Sequence, residues 1–240
     1  IKITMPGQFF KFKQFTVQQD QCAMKVGTDG TLLGAWANVA GCKKALDVGT
    51  GTGLIALMVA QRNRDACIDA IDMDKDAYMQ ASQNIKDSPF SKQINPYHCS
   101  LQTFAKDRSD SLYDLIISNP PYYANSLKSP EKKRNLARHN DTLSPIELLH
   151  YCSLLLTAQG RMALILPYQQ TDEIIDLASR KNLYVERRTN MIPTGKSQPK
   201  RSLIEFSFQK KSFNPDTLVL EYARNQRTKA YKELTQDFYL

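Results

Sequence analysis

Asn119-Pro120-Pro121-Tyr122 follows an apolar run at 112–118 and brings together groups suited to one kind of chemistry. An asparagine carboxamide oxygen and the Pro120 backbone carbonyl are two acceptors, matching the two hydrogens of a planar exocyclic amine. Such a nitrogen, on an adenine for example, is a poor nucleophile because its lone pair is delocalised into the ring. Hydrogen bonds from both of its hydrogens draw it toward tetrahedral geometry, and they strengthen as positive charge develops in the transition state. Tyr122 offers a face on which a base can stack. A plainer account is that Pro120 and Pro121 only stop a strand, which explains the prolines but not the flanking Asn and Tyr. The catalytic candidates are therefore Asn119, Pro120 and Tyr122.

Leu46-Asp47-Val48-Gly49-Thr50-Gly51-Thr52-Gly53-Leu54 supplies a second constellation, between an apolar run and a helical pattern. Three alternating glycines let the backbone turn sharply and approach a ligand closely. A dinucleotide fingerprint, G-x-G-x-x-G, would need its third glycine at position 54, which is Leu54. S-adenosylmethionine has no pyrophosphate to seat on a helix N-terminus, so the shorter G-x-G-x-G turn suits it better. Asp47 can orient the loop or accept from the ligand's ammonium group. About twenty residues on, Asp72 closes the next apolar run as a carboxylate able to accept both hydroxyls of a ribose. Asp74 is the nearby substitute, better placed to cap a helix from Lys75. A sulfonium is already an activated leaving group, so neither a strong general base nor a metal is required.

Positioning these groups falls to a recurring strand-helix pattern. Apolar runs at 45–48, 67–72, 94–99, 112–118, 162–166, 183–188 and 203–208 read as strands. Helical spacing appears at 54–61, 75–85, 144–156 and 170–178, with a last helix near 227–237. The alternation predicts an α/β fold, an open and mostly parallel sheet with helices on both faces. Ligands bind beyond the carboxyl ends of such strands, so the glycine loop and Asn119 should share one edge. Residues 191–200, with Pro193, Gly195 and Pro199, carry no helical pattern and predict an antiparallel hairpin. The chain divides into an N-terminal extension at 1–40, packing over the cofactor site, and a single domain at 41–240 with a basic hairpin and a C-terminal helix. Phe9, Phe10, Phe12 and Phe15 interleave with Lys11 and Lys13; a half-buried strand is favoured there over a base-stacking segment, and Trp36 reads as core.

Net charge is +8 and unevenly spread. Residues 46–127 carry ten Asp against seven Lys or Arg, whereas 180–211 carry nine basic residues against Glu186 and Glu205. Residues 128–138 add five more basic residues against Glu131. A near-neutral catalytic half flanked by basic segments suits a polyanionic partner, with a solvated basic surface as the alternative. Cys22, Cys42, Cys67, Cys99 and Cys152 are scattered and form no CxxC pair, as expected of free thiols in a reducing cytoplasm and not of a metal site. No apolar run approaches the length of a membrane span.

With these motifs placed, the chain resembles class I methyltransferases of the N-P-P-Y type. More narrowly, it is similar to the bacterial valine-tRNA adenine-N6 methyltransferases, which modify the adenine beside the anticodon. Carrying the resemblance are Phe12-Lys13-Gln14-Phe15, Met24-Lys25-Val26-Gly27-Thr28-Asp29-Gly30 and Leu32-Leu33-Gly34-Ala35-Trp36, then Ala137-Arg138-His139, Pro199-Lys200-Arg201 and Asp237-Phe238-Tyr239-Leu240. It implies a Rossmann-like, seven-stranded sheet with a reversed last strand, S-adenosylmethionine as cofactor, tRNA as partner and a cytoplasmic role. It also implies that Lys25, Thr28 and Asp29 close over the methionine end of the cofactor, beside Asp47, Gly49, Gly51, Gly53 and Asp72. Where the family commonly places an Asp for the cofactor's adenine, this chain has Ser100; that hydroxyl or the Leu101 amide would replace part of the contact. Arg138, His139, Lys200 and Arg201 are the candidate RNA contacts, with a solvated basic loop as the alternative for the first two.

Three other functions compete. Release-factor glutamine methyltransferases use the same tetrapeptide, because a carboxamide is also planar, but they carry a large helical domain ahead of the glycine loop. Only about forty-five residues precede the loop here, too few for that domain. A DNA adenine methyltransferase needs a groove-reading module of its own, for which no residues are spare. A non-catalytic RNA-binding protein on this scaffold would not need Asn119, Tyr122 and the glycines intact. RNA is favoured on physical grounds because loop adenines are already partly unstacked.

Overall fold

Runs such as 115–117 and 162–166 are apolar at every position, and a strand can bury both faces only inside a sheet covered on both sides. The computed structural model, which describes residues 8–22, 25–108, 112–121 and 143–240, has this arrangement. Strands β1 (Phe9–Lys11) and β2 (Thr16–Gln18) form a small antiparallel hairpin of their own. The main sheet holds β3 (Lys44–Val48), β4 (Cys67–Asp72), β5 (Ile94–His98), β6 (Tyr113–Ser118), β7 (Leu156–Pro167), β8 (Tyr184–Thr194), β9 (Arg201–Ser207), β10 (Asp216–Ala223) and β11 (Gln226–Arg227). Their spatial order is β11-β10-β8-β9-β7-β6-β3-β4-β5. Pairings from β5 across to β7 are parallel, β9 runs antiparallel to both β7 and β8, and β10 is again parallel to β8.

The expected reversed strand is β9, slotted between β7 and β8, and residues 195–200 make the expected hairpin turn. The expected count of seven is corrected to nine, because β10 and β11 continue the sheet past β8. Only Leu218 of β10 is buried, so this outer strand lacks the apolar alternation by which a strand is recognised.

Helices α1 (Thr28–Trp36), α2 (Leu54–Arg62) and α3 (Lys75–Lys86) cover one face together with the β1–β2 hairpin and α7 (Lys229–Thr235). Helices α4 (Leu101–Asp107), α5 (Pro145–Leu155) and α6 (Thr171–Ser179) cover the other. Strand side chains divide between the two cores in strict alternation: Ala45, Leu115, Ile117, Ala163 and Ile165 face the first, while Leu46, Ile116, Met162 and Leu164 face the second. The sequence did not mark α1, because Gly30–Trp36 are buried on every side and leave no amphipathic period. Trp36 lies in the core as expected, its Nε1 donating to Thr189 Oγ1 at 3.0 Å with the Arg187 guanidinium stacked 3.7 Å from its ring. Phe12 and Phe15 are buried and Phe9 is exposed, in keeping with the half-buried reading of that segment.

One side chain ties the N-terminal hairpin to the glycine loop. Asn84 of α3 is 1% exposed; its Nδ2 donates to the carbonyls of Gln18 and Thr52, and its Oδ1 accepts from the Gln18 amide. Truncation leaves three backbone groups without partners, each worth about 1 kcal/mol or more. Asn84→Ala should therefore cost roughly 3 kcal/mol in urea denaturation and speed proteolysis of the hairpin; a loss under about 1 kcal/mol would mean that water replaces the tie.

Candidate active site

Parallel pairing in register decides where the site lies. Val48 sits opposite both Ile71 and Ser118, and Asp72 opposite His98, so the residues following β3, β4, β5 and β6 emerge side by side. β3 is also where the strand order reverses, β4 and β5 lying to one side and β6 to the other, which opens a crevice at this edge. The Ser118 hydroxyl donates to the Val48 carbonyl at 2.8 Å and pins the end of β6 to the start of the glycine loop.

The loop folds back on β4, the Gly49 and Thr50 amides donating to the Ile71 carbonyl at 2.9 and 3.0 Å. Gly49, Gly51 and Gly53 have φ of 69°, 58° and 82°, in the left-handed region. A Cβ on Gly49 would meet nothing within 4 Å, because it would project into the crevice. Beneath the loop, Asp47 is fully buried; its Oδ2 accepts from the Thr50 hydroxyl at 2.6 Å and the Ala56 amide at 3.1 Å. Its Oδ1 is buried without a partner among the described residues, and burial pushes the carboxyl up to about 7 against those two bonds. The structure thus brings Asp47 to the loop and the first turn of α2, behind the crevice wall.

Two adjoining cavities open at this edge, of about 370 and 250 Å³, and both are lined by Gly49, Gly51 and Asn119. The first also meets Lys25, Thr28, Asp29 and Arg201, and the second Asp72, Ser100, Leu101 and Pro120. Asp72 Oδ2 accepts from the Gly51 amide at 2.8 Å and Oδ1 from the Asp74 amide at 2.9 Å. Burial raises the Asp72 pKa and these two amides hold it down, so the carboxylate is fixed in direction with one lone pair left on each oxygen. Asp74 takes the capping place, its Oδ1 accepting from the Ala77 amide at 2.8 Å. Ser100 caps α4 through the Thr103 amide at 3.2 Å, so its hydroxyl is engaged within its own chain.

At the junction of the cavities the Asn119 Oδ1 is buried, with no hydrogen-bond partner among the described residues. A buried carboxamide oxygen without a donor costs about 1–3 kcal/mol, so the site is complementary to a donor that arrives with a ligand.

Of the basic residues picked from the sequence, Arg201 lies in the wall of the first cavity, its Nε donating to Asp29 Oδ2 at 2.8 Å. Lys200, its neighbour, is exposed. Lys200 lies in the turn before β9 and Arg201 opens the strand, so nothing in the sequence marked that only Arg201 would reach the crevice. Cys22 and Leu143 also line the second cavity, and nothing in the sequence marked them. Tyr122, Arg138 and His139 lie outside the described residues.

The buried Asp47 has a measurable signature. Its pKa in the folded chain is raised from 3.8 to about 7, so between these values the folded state holds a proton that the unfolded state has released. Its contribution to stability is therefore greatest at acidic pH and falls as pH rises toward 7. Relative to Asp47→Asn, the parent should lose stability between pH 5 and pH 8 in matched denaturant titrations; a pH-independent difference would show that Asp47 stays ionised throughout.

Among known proteins, the family model described as Methyltransferase small domain matches residues 27–143. A tRNA1(Val) (adenine(37)-N6)-methyltransferase of Parabacteroides distasonis is 48% identical over 237 residues, covering 98% of this chain and 99% of its own length. A protein of the same name from Trichodesmium erythraeum is 43% identical over 238 residues, with the same coverage of both chains. Among solved structures, a predicted O-methyltransferase from Agrobacterium tumefaciens superposes with a TM-score of 0.64 over 88% of this chain and 96% of its own. At 18% identity that likeness speaks for the fold alone. Near-full-length identity of this order, on a class I methyltransferase sheet with the glycine loop and Asn119 at one edge, makes the chain a member of the tRNA1(Val) (adenine(37)-N6)-methyltransferase family.

Proposed function

We propose that this chain transfers a methyl group from S-adenosylmethionine to the exocyclic N6 of an adenine in tRNA, the adenine beside the anticodon of a valine tRNA. The observation that carries the reading is the Asn119 Oδ1, a buried acceptor without a donor among the described residues at the junction of two cavities. S-adenosylmethionine supplies a methyl group already activated on a sulfonium. The residues present suit it: Asp72 faces the cavity as a fixed acceptor for a ribose diol, and the Gly49 cradle is space that a side chain would fill. Lys25, Thr28 and Asp29 suit the amino-acid end, with Arg201 holding Asp29 in place. Leu101 lines the apolar part that suits the adenine.

The chain's own contribution to the reaction is to hold and polarise the target amine. Asn119 Oδ1 accepts one N6 hydrogen and the Pro120 carbonyl the other, so the nitrogen lone pair points along the remaining direction. Both bonds strengthen as the nitrogen becomes cationic, which favours the transition state over the bound substrate. Tyr122 supplies the stacking face, Arg138 and His139 a phosphate or base contact, and Lys200 a phosphate contact. Proton loss from the methylated nitrogen needs no dedicated base, because its acidity lets water accept the proton. A tRNA substrate implies work in the cytoplasm; among the described residues no helix is long and apolar enough to cross a membrane.

The reading is tested by incubating the protein with labelled S-adenosylmethionine and unmodified tRNA, followed by nucleoside mass spectrometry. N6-methyladenosine should form with the parent, and Asn119→Ala should lower kcat by roughly 10²–10³-fold or more while cofactor affinity is kept. Methylation of release-factor glutamine instead of RNA would overturn the substrate, and full activity of Asn119→Ala would overturn the mechanism.

A further inference from the structure

A third depression adjoins the active-site crevice and has no part in the chemistry above. It is a groove of about 750 Å³ between the β1–β2 hairpin and α7, with Phe10, Lys13, Arg227, Tyr231, Lys232 and Tyr239 in its walls. Val26, Gly27 and Thr28 line both this groove and the first cavity, so the two share a wall. Among the described residues, three cationic and three aromatic ones line it, and no Asp or Glu does.

The aromatic wall is built before any ligand arrives. Tyr239 is stacked on Phe12 at 5.9 Å and on Tyr231 at 6.3 Å, with Phe10 edge-on at 5.9 Å, and the residue is half-buried. Arg227 lies 4.5 Å over the Tyr231 ring and pairs with Glu221 at 3.1 Å, which fixes that side. Lys13 Nζ donates to the Gln236 carbonyl at 2.5 Å, holding the ammonium at the rim, and Lys232 is exposed. Strand direction adds further charge at this edge. β8 and β10 run parallel to β7 and hence to β3, so the turns at 195–200 and 224–225 emerge on the catalytic side with Lys196, Lys200 and Arg224 exposed.

We propose that this groove seats the single-stranded nucleotides flanking the target adenine, a base against Tyr239 and phosphates against Lys13 and Lys232. The inference rests on the reading that the substrate is tRNA. A base drawn out to reach Asn119 pulls its neighbours out of their stack, and those neighbours need an aromatic face and cations beside the same opening. The groove supplies both, and among the described residues no Asp or Glu side chain lines it, which lessens the repulsion that a phosphate backbone would otherwise meet. The two strands beyond the expected seven then have a role, since β10 and β11 anchor α7 and Arg227.

The test is binding of an unmodified valine tRNA transcript by the full chain across a salt series, with methyl transfer by the parent measured in parallel. Lys232→Glu should weaken binding about tenfold and flatten the plot of log affinity against log salt by roughly one. Tyr239→Ala should weaken binding about tenfold with the salt slope kept, and Tyr239→Phe, which keeps the ring, should bind like the parent. Lys92→Glu makes the same charge change just before β5, at the opposite edge of the sheet, and should leave both quantities alone. Equal weakening by Lys232→Glu and Lys92→Glu, or none by either, would overturn the groove. Parent-like binding by Tyr239→Ala, or loss of binding in Tyr239→Phe, which keeps the ring, would overturn the stacking role. A parent that binds tRNA through Lys232 yet forms no N6-methyladenosine would instead remove the reaction proposed above and leave the groove standing.

Discussion

Parallel strands paired without slippage deliver their next residues to a single edge, and in this chain four functional segments depend on that. Gly49, Asp72, Ser100 and Asn119 are far apart in sequence, yet the pairing of β3 with β4 and β6, and of β4 with β5, brings them around one crevice. A shift of one residue would turn every strand side chain to the wrong face and move Asn119 away from the glycine loop. Both faces of β3, β4 and β6 are buried against the two cores, so a slip would expose apolar residues on each side at once. Precision at the site is thus a by-product of packing in the layers above and below it.

Several polar groups at the edge are held in states that would be unfavourable in isolation. Asp47 is buried and raised in pKa, yet it joins the loop to the first turn of α2. Asn119 presents a carboxamide oxygen without a donor among the described residues. Asp29 and Arg201 meet across 172 residues of chain, linking α1 to the start of β9. Local cost of this kind collects where a ligand is to be bound, because groups already satisfied by the protein have little to offer a substrate. Away from the edge, Glu205, buried in β9, accepts from Arg187 at 3.1 Å and from the Asn38 amide at 2.8 Å, while Gln61 Oε1 and Arg161 Nε are also buried without a partner among the described residues.

The terminal segments meet on one side of the sheet. The Lys13 amide donates to the Phe238 carbonyl, and Gln61 of α2 donates to the Asp237 carbonyl, so hairpin, α2 and C-terminal helix form one wall. α7 in turn rests on β10 through Thr228, whose hydroxyl donates to the Val219 carbonyl at 2.6 Å. A basic, aromatic-lined surface on that wall, beside the crevice, gives the net positive charge of the chain a location near the site.

Much of this was legible in the sequence, and the physical reason divides what was from what was not. Strands 45–48 and 67–72, helix 75–85 with its Asp74 cap, and the Gly49-Gly51-Gly53 turn were fixed by local chemistry: side-chain period, capping preference and the need for left-handed backbone. The proximity of Asn119 to the glycine loop also followed, since strand ends in such a sheet share an edge. Tertiary structure alone decided what depends on neighbours distant in sequence. α1 is helical although its apolar residues have no period, because it is enclosed on every side. β10 joins the sheet with one buried residue because β8 offers it an open edge. Arg201, read as a surface cation, lies in the cavity wall because pairing with β7 and β8 sets the face it occupies and brings Asp29 within 2.8 Å. Sequence determines what each segment can be and which groups it carries; the partner it packs against determines which way those groups point.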